Sequence, residues 1–179
     1  MRLPRVPQRT TTGFAFSMVD RALKEGLSTR RFGQEEIARV VEFFGHDDKK
    51  PPECVYCGSL EVKRWDHLIA ITMGGETVLG NMVLSCAHCD DSRRAMQFQK
   101  WMKSDAPKSP GSRGVEDLDH RIGSIEAYVR QSGYAPRTVE QRLSPSESER
   151  LNAINSRLAT IRKDIEALVA DYRERTTAT

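Results

Sequence analysis

Residues 54–90 read CVYCGSLEVKRWDHLIAITMGGETVLGNMVLSCAHCD, and the two C-x2-C pairs that bracket this stretch decide the fold. Cys54, Cys57, Cys86 and Cys89 are the only four cysteines in the chain. In a reducing compartment, thiols paired at this spacing read as zinc ligands rather than disulfides. Zinc takes four tetrahedral ligands, with Zn–S about 2.3 Å. Each C-x2-C bend presents two thiolates from one turn, so two knuckles close a four-cysteine site. The expectation is one structural zinc on Cys54, Cys57, Cys86 and Cys89. His88, inside the second knuckle, is not needed as a ligand.

Between the knuckles the pattern is that of two short strands. VKRWDHLIAI (62–71) is β-branched and aromatic, Met73-Gly74-Gly75-Glu76 is a turn, and NMVLS (81–85) is the second strand. Beyond Cys89, Met96, Phe98, Trp101 and Met102 recur near helical spacing, so the second knuckle opens a helix. A zinc joining the knuckles would hold the strand end at Asp66–His67 beside the helix start at Asp90. Two carboxylates with open positions suit magnesium, which keeps several waters for a phosphate to displace. A neutral histidine, with an ordinary pKa about 6.5, can take a proton from water. Arg93 and Arg94 could clamp phosphate oxygens. Metal, base and guanidinium are the parts needed to hydrolyse a phosphodiester.

In CVYCG, WDHLIAITMGG, GNMVLSC and CAHCDDSRR, in that order, residues 54–94 resemble the HNH endonucleases, also called ββα-metal nucleases. The resemblance implies a magnesium- or manganese-dependent, one-metal DNA endonuclease that leaves 5′-phosphate and 3′-hydroxyl ends. It implies that Asp66 binds the catalytic metal, His67 is the general base, Asn81 braces the loop between the strands, and Asp90 is the second metal ligand, with Arg93 or Arg94 following on the helix. The position of Asp90 is more often Asn or His in that family. Asp is an equally good oxygen ligand but adds negative charge that Arg93 or Arg94 would have to offset. The rival reading is a zinc-knuckle DNA-binding module that keeps the scaffold without catalysis; the set of Asp66, His67 and Asp90 argues against it, since a binder needs none of them.

The flanks are helical. Residues 17–27 form a short helix after a basic arm at 1–13, and Ile37, Val40, Val41 and Phe44 mark a second one that stops at Gly45. HDDKKPPE (46–53) reads as a linker. His46-Asp47-Asp48 and Asp119-His120 read as solvated charge rather than metal sites. SDAPKSPGSRG (104–114) is a second linker, and Leu118, Ile122, Ile125 and Val129 mark an amphipathic helix ending near Gly133. Ser144-Pro145-Ser146-Glu147 combines an N-cap serine, proline at the first helical position and glutamate two residues on. From there Leu151, Ile154, Leu158, Ile161, Ile165, Leu168 and Tyr172 alternate three and four apart, a heptad seam. It predicts an antiparallel homodimer through the 144–172 helix, in which Arg157 meets Asp164 or Asp171. The rival is a hairpin with the 115–130 helix.

The fold expected is α+β, with a small ββα-metal core at 47–104, a basic arm and helices at 1–46, a linker and helix at 105–142, and the heptad helix at 143–179. Length fits this, since 179 residues make one domain or a small one with extensions. The net charge of +3 does not by itself indicate nucleic acid, although residues 1–31 hold seven basic against two acidic side chains. No apolar run approaches the roughly 18–20 residues needed to span a bilayer, and no apolar stretch follows the basic N-terminus as a secretory signal would require. A cytoplasmic protein acting on double-stranded DNA is the expectation, with restriction, phage and mobile-element roles equally compatible.

Overall fold

The structure is a computed structural model, and it describes residues 11–47 and 49–177. Two compact units emerge among the described residues, one built from residues 11–26 and 140–177, the other from residues 27–139. The fold is α+β, as expected from the sequence.

The second unit carries the cysteines. Its elements run β1 (Arg30–Arg31), α2 (Gln34–Phe43), β2 (Val62–His67), β3 (Thr77–Val78), β4 (Met82–Cys86), α3 (Ala87–Arg93), α4 (Phe98–Met102) and α5 (Leu118–Ser132), following α1 (Thr11–Gly26) of the first unit. β2 and β4 form an antiparallel pair in which Asp66 lies opposite Val83 and His67 opposite Met82. β4 is buried at all five residues, so no polar face alternates along it. α3 follows β4 with no intervening turn, because Cys86 caps the helix in an extended conformation. This ββα unit sits on a core of Tyr56, Leu68, Val83, Phe98, Trp101, Met102, Ile122, Ile125 and Tyr128. Tyr56 and Trp101 meet edge to face at 5.3 Å, a geometry favoured by the ring quadrupoles. The Tyr128 hydroxyl accepts from Gly80 N at 2.8 Å and donates to Met82 O at 2.9 Å, tying α5 to the start of β4.

Three local expectations change. The helix after the second knuckle is two helices: α3 ends where Arg94 adopts φ 52°, and α4 restarts at Phe98. The first strand stops at His67, because Leu68 N and Ile69 N turn to bond Asn81 rather than a strand partner. Residues 104–114 are not a slack linker. Ser109 and Pro110 are fully buried, Ser109 Oγ donates to Ser104 O, and Gly111–Arg113 form a 3-10 turn.

The first unit pairs α1 with α7 (Pro145–Thr177). α6 (Val139–Arg142) lies at the boundary between the units. α1 begins at Thr11, six residues before the helix expected there, and residues 1–10 of the basic arm lie outside the described residues. α7 opens on the expected capping box: Ser144 N donates to Glu147 Oε2 at 2.8 Å, and Glu147 N returns to Ser144 Oγ. Its seam is largely bare, with Ile154, Ile161, Ile165, Leu168 and Tyr172 all exposed.

Candidate active site and metal centre

The four cysteine sulfurs all lie within 4.8 Å of one another, and Cys57 Sγ and Cys86 Sγ are 3.8 Å apart. A regular ZnS4 tetrahedron with Zn–S about 2.3 Å has edges of about 3.8 Å. The donors therefore fit zinc in number, type and spacing. Backbone bonds shape the first knuckle: Cys57 N and Gly58 N both donate to Cys54 O, and Gly58 adopts φ 72°, open to glycine without strain. The thiols hydrogen-bond among themselves, which pushes Cys54 up to about 12, raises Cys89 and holds Cys57 down. Four thiolates at this separation would repel one another strongly in the absence of a cation. The segment expected as a linker supplies a further contact, since Arg113 Nη2 donates to Cys89 Sγ at 3.1 Å. His88 is exposed and stays outside the cluster.

His67 closes β2, half buried, with its Nε2 2.9 Å from Thr77 Oγ1. Burial holds its pKa below the ordinary value, so the ring is neutral at pH 7. Asn81 is completely buried behind it. Its Oδ1 accepts from Ile69 N at 2.8 Å, and its Nδ2 donates to Ile69 O at 3.0 Å and Glu76 O at 2.7 Å. Those three bonds lock the turn that returns Thr77 to His67. Gly75 is required there as well, because a Cβ would stand 1.8 Å from Ile69 O.

Beside this turn run residues 28–32, a segment for which the sequence predicts no element between its first two helices. β1 pairs in parallel with β3, placing Arg30 opposite Thr77 and Arg31 opposite Val78. Ser28 Oγ donates to Gly75 O at 3.1 Å, and Phe32 meets Trp65 edge to face at 4.8 Å. Residues 28–32 thus strap across the His67 side of β2. A two-residue strand leaves no periodic signal in sequence.

Residues 54–95 match the family model of the HNH endonucleases. The match covers 42 of the 179 residues. No curated protein and no solved structure matches the chain. This match supports a nuclease or DNA-binding role with bound metal, and both knuckles lie within it.

The remaining site residues are arranged differently from expectation. Asp66 and Arg93 form a buried pair: Arg93 Nε donates to Asp66 Oδ2 and Nη2 to Asp66 Oδ1, both at 2.7 Å, and Tyr56 Oη donates to Oδ2 at 2.8 Å. Arg93 is 1% exposed and Asp66 7%. Arg93 also donates to the carbonyls of His67, Leu68 and Met96. Arg93 is therefore corrected from a phosphate clamp to an interior residue; Arg94, next along the chain, is exposed and turned outward. Asp90 is partly open, and its Oδ2 accepts from Arg64 Nη1 at 2.7 Å, an atom that also lies 2.5 Å from Asp91 Oδ1. Of the two carboxylates expected to share a divalent cation, Asp90 is partly open, whereas Asp66 is closed in against Arg93 and Tyr56, so the pair is not arranged around one open site as expected.

His46 is a further correction. It was read as solvated, yet it is buried on the C-terminal side of α2, its ring against Phe44 and both ring nitrogens without a hydrogen-bond partner. Asp119 and His120 remain exposed on α5.

Proposed function

We propose that this protein is a metal-dependent DNA endonuclease whose general base is His67. The observation that carries this reading is the histidine itself: neutral, half buried, and held through Nε2 by Thr77 on a turn that Asn81 locks. With Nε2–H donated to Thr77 Oγ1, Nδ1 keeps its lone pair for a proton from water. The hydroxide so formed attacks phosphorus, the bond to the 3′ oxygen breaks, and that oxygen leaves with a proton from solvent. The products are a 5′-phosphate and a 3′-hydroxyl. Magnesium or manganese is the proposed cofactor, and Asp90 is the carboxylate that offers it oxygen. Arg94, exposed after α3, is the guanidinium proposed to meet a phosphate. Zinc on Cys54, Cys57, Cys86 and Cys89 holds the scaffold, and a cytoplasmic location suits thiols that must stay reduced.

One such site cuts one strand, so cutting both strands of a duplex at one locus calls for two copies. The bare seam of α7, from Ile154 to Tyr172, is the surface proposed to pair them. An antiparallel arrangement sets Arg157 against Asp164 or Asp171 of the second copy, whereas a parallel one sets Arg157 against Arg162. Restriction-type cutting of specific sites is the finer proposal.

The test is incubation of the purified protein with mixed duplex DNA and Mg²⁺ or Mn²⁺, followed by sequencing of the ends. The wild type should cut, and His67→Ala should cut about 10²–10⁴-fold more slowly, the usual contribution of a general base, while binding DNA as before. Discrete ends in one sequence context mark a restriction-type enzyme. Equal rates for His67→Ala and the wild type would exclude His67 as the base.

A further inference from the structure

We infer that Asp66 is a positioning residue and not a metal ligand: Asp66, Arg93 and Tyr56 form an internal clamp that fixes the end of β2, and the catalytic cation is held from the α3 side by Asp90. This rests on the nuclease reading for its cation and stands on the geometry for its clamp.

The clamp engages both Asp66 oxygens inside the protein. Asp66 accepts three hydrogen bonds, two of them a side-on fork from Arg93. Such a bidentate pair is the strongest arrangement open to a carboxylate and a guanidinium. Arg93 in turn spends every nitrogen inside the protein: Nε and Nη2 on Asp66, Nη2 also on His67 O, and Nη1 on Leu68 O and Met96 O. A cation on Asp66 would stand beside a guanidinium buried at 1% exposure and divide its single counter-charge, a costly arrangement in a protein interior. Tyr56 reports the same closure, because burial pushes its phenol well above the ordinary range.

The clamp also has a target. Arg93 grips the backbone carbonyls of His67 and Leu68, the two residues at which β2 ends. Asp66 therefore acts on His67 through Arg93. The opposite is true at Asp90. Its partner Arg64 is 42% exposed and Asp90 itself 30% in the side chain. Exposed pairs of this kind contribute little and exchange readily, so a divalent cation can displace Arg64 from Asp90 at small cost.

The experiment is a pair of measurements on Asp66→Asn, Arg93→Gln, the double variant Asp66→Asn/Arg93→Gln, and Asp90→Ala. The first is thermal melting of all five proteins with zinc bound. Either single change in the clamp should lower the melting temperature, and the double variant should recover most of the loss, since it leaves no lone charge inside. Single variants that melt with the wild type, or a double variant no better than the worse single, would overturn the clamp. The second is Mn²⁺ binding followed by electron paramagnetic resonance on DNA-free protein. The folded double variant should bind Mn²⁺ within about twofold of the wild type, and Asp90→Ala should lose at least tenfold. A tenfold loss in the double variant would make Asp66 a ligand and sink the inference. In cutting assays the double variant should lose kcat with its Mn²⁺ requirement unchanged, and a shifted requirement would count against the inference. A wild type that neither binds Mn²⁺ nor cuts DNA would defeat the nuclease reading, and the melting cycle would still decide the clamp.

Discussion

Taking zinc from the four cysteines should unfold the unit that carries them. Cys54, Cys86 and Cys89 are buried in the same core as Tyr56, Val83 and Trp101, so the metal site and the hydrophobic core share one interior. Structural zinc contributes on the order of 10 kcal/mol. Whole domains are stable by only about 5–15 kcal/mol, so chelation should leave a net stability near zero. A single ligand change is milder. Cys57 is the most open of the four, and if each ligand carries roughly a quarter of the binding free energy, Cys57→Ser costs about 3 kcal/mol. At about 3–5 °C per kcal/mol for a unit of this size, its melting temperature should fall by roughly 10–15 °C. The assay is circular dichroism melting of wild type and Cys57→Ser, with and without a strong chelator, alongside elemental analysis. A protein that carries no metal, or one whose melting temperature is the same before and after chelation, would refute the reasoning.

Stability should also depend on the buried histidines. Burial lowers the pKa of His46 below its ordinary value, and of His67 likewise. The unfolded chain therefore binds protons first, so the full contribution is present above about pH 6.5 and is lost as pH falls below it. Melting temperature measured from pH 8 to 5 should decline on the acid side, and His46→Phe should flatten part of that slope; an unchanged slope would show that His46 is not responsible. Asn81→Ala strips three hydrogen bonds from a closed interior and should cost about 3 kcal/mol, read as a shift in denaturant midpoint; a shift below a third of that would mean the loop holds without its brace. Leu168 is 68% exposed in α7, so Leu168→Asp should leave the fold intact and turn a dimer into a monomer by light scattering. A wild type that is monomeric at micromolar concentration, alone and on DNA, would refute pairing through α7.

The parts legible in sequence were those fixed by local chemistry. The two C-x2-C bends, the 118–132 helix with its apolar periodicity, and the Ser144–Glu147 cap each depend on residues a few positions apart. Asn81 as a loop brace was legible only through the family resemblance, and its three bonds supply the physical reason. What escaped was long-range. Arg93 and Arg94 look alike in the chain, yet one is the most deeply placed arginine in the cysteine-bearing unit and the other faces solvent. A helical count held the clue: Arg93 is four residues after Cys89, so it shares the inward face that the zinc ligand defines. The strap at 28–32 pairs with residues more than forty positions away through two-residue strands, where neither propensity nor period can speak. His46 was misread because a polar, proline-bearing stretch predicts exposure on average, and here the aromatic rings of Phe44 and its neighbours draw the imidazole inward.

The division of the chain has a consequence for biosynthesis. α1 ends at Gly26, and its partner α7 begins at Pro145, 119 residues later. Everything between belongs to the other unit or its border. At about 5–20 residues per second, a ribosome needs on the order of ten seconds to bring α7 out after α1. Through that interval the α1 segment, which carries Phe14, Met18 and Val19, waits without its partner, while all four cysteines and the whole core of the inserted unit emerge. The order of synthesis is therefore written into the chain: the cysteine-bearing unit is complete before the helical pair, with the seam proposed to join two copies, can close.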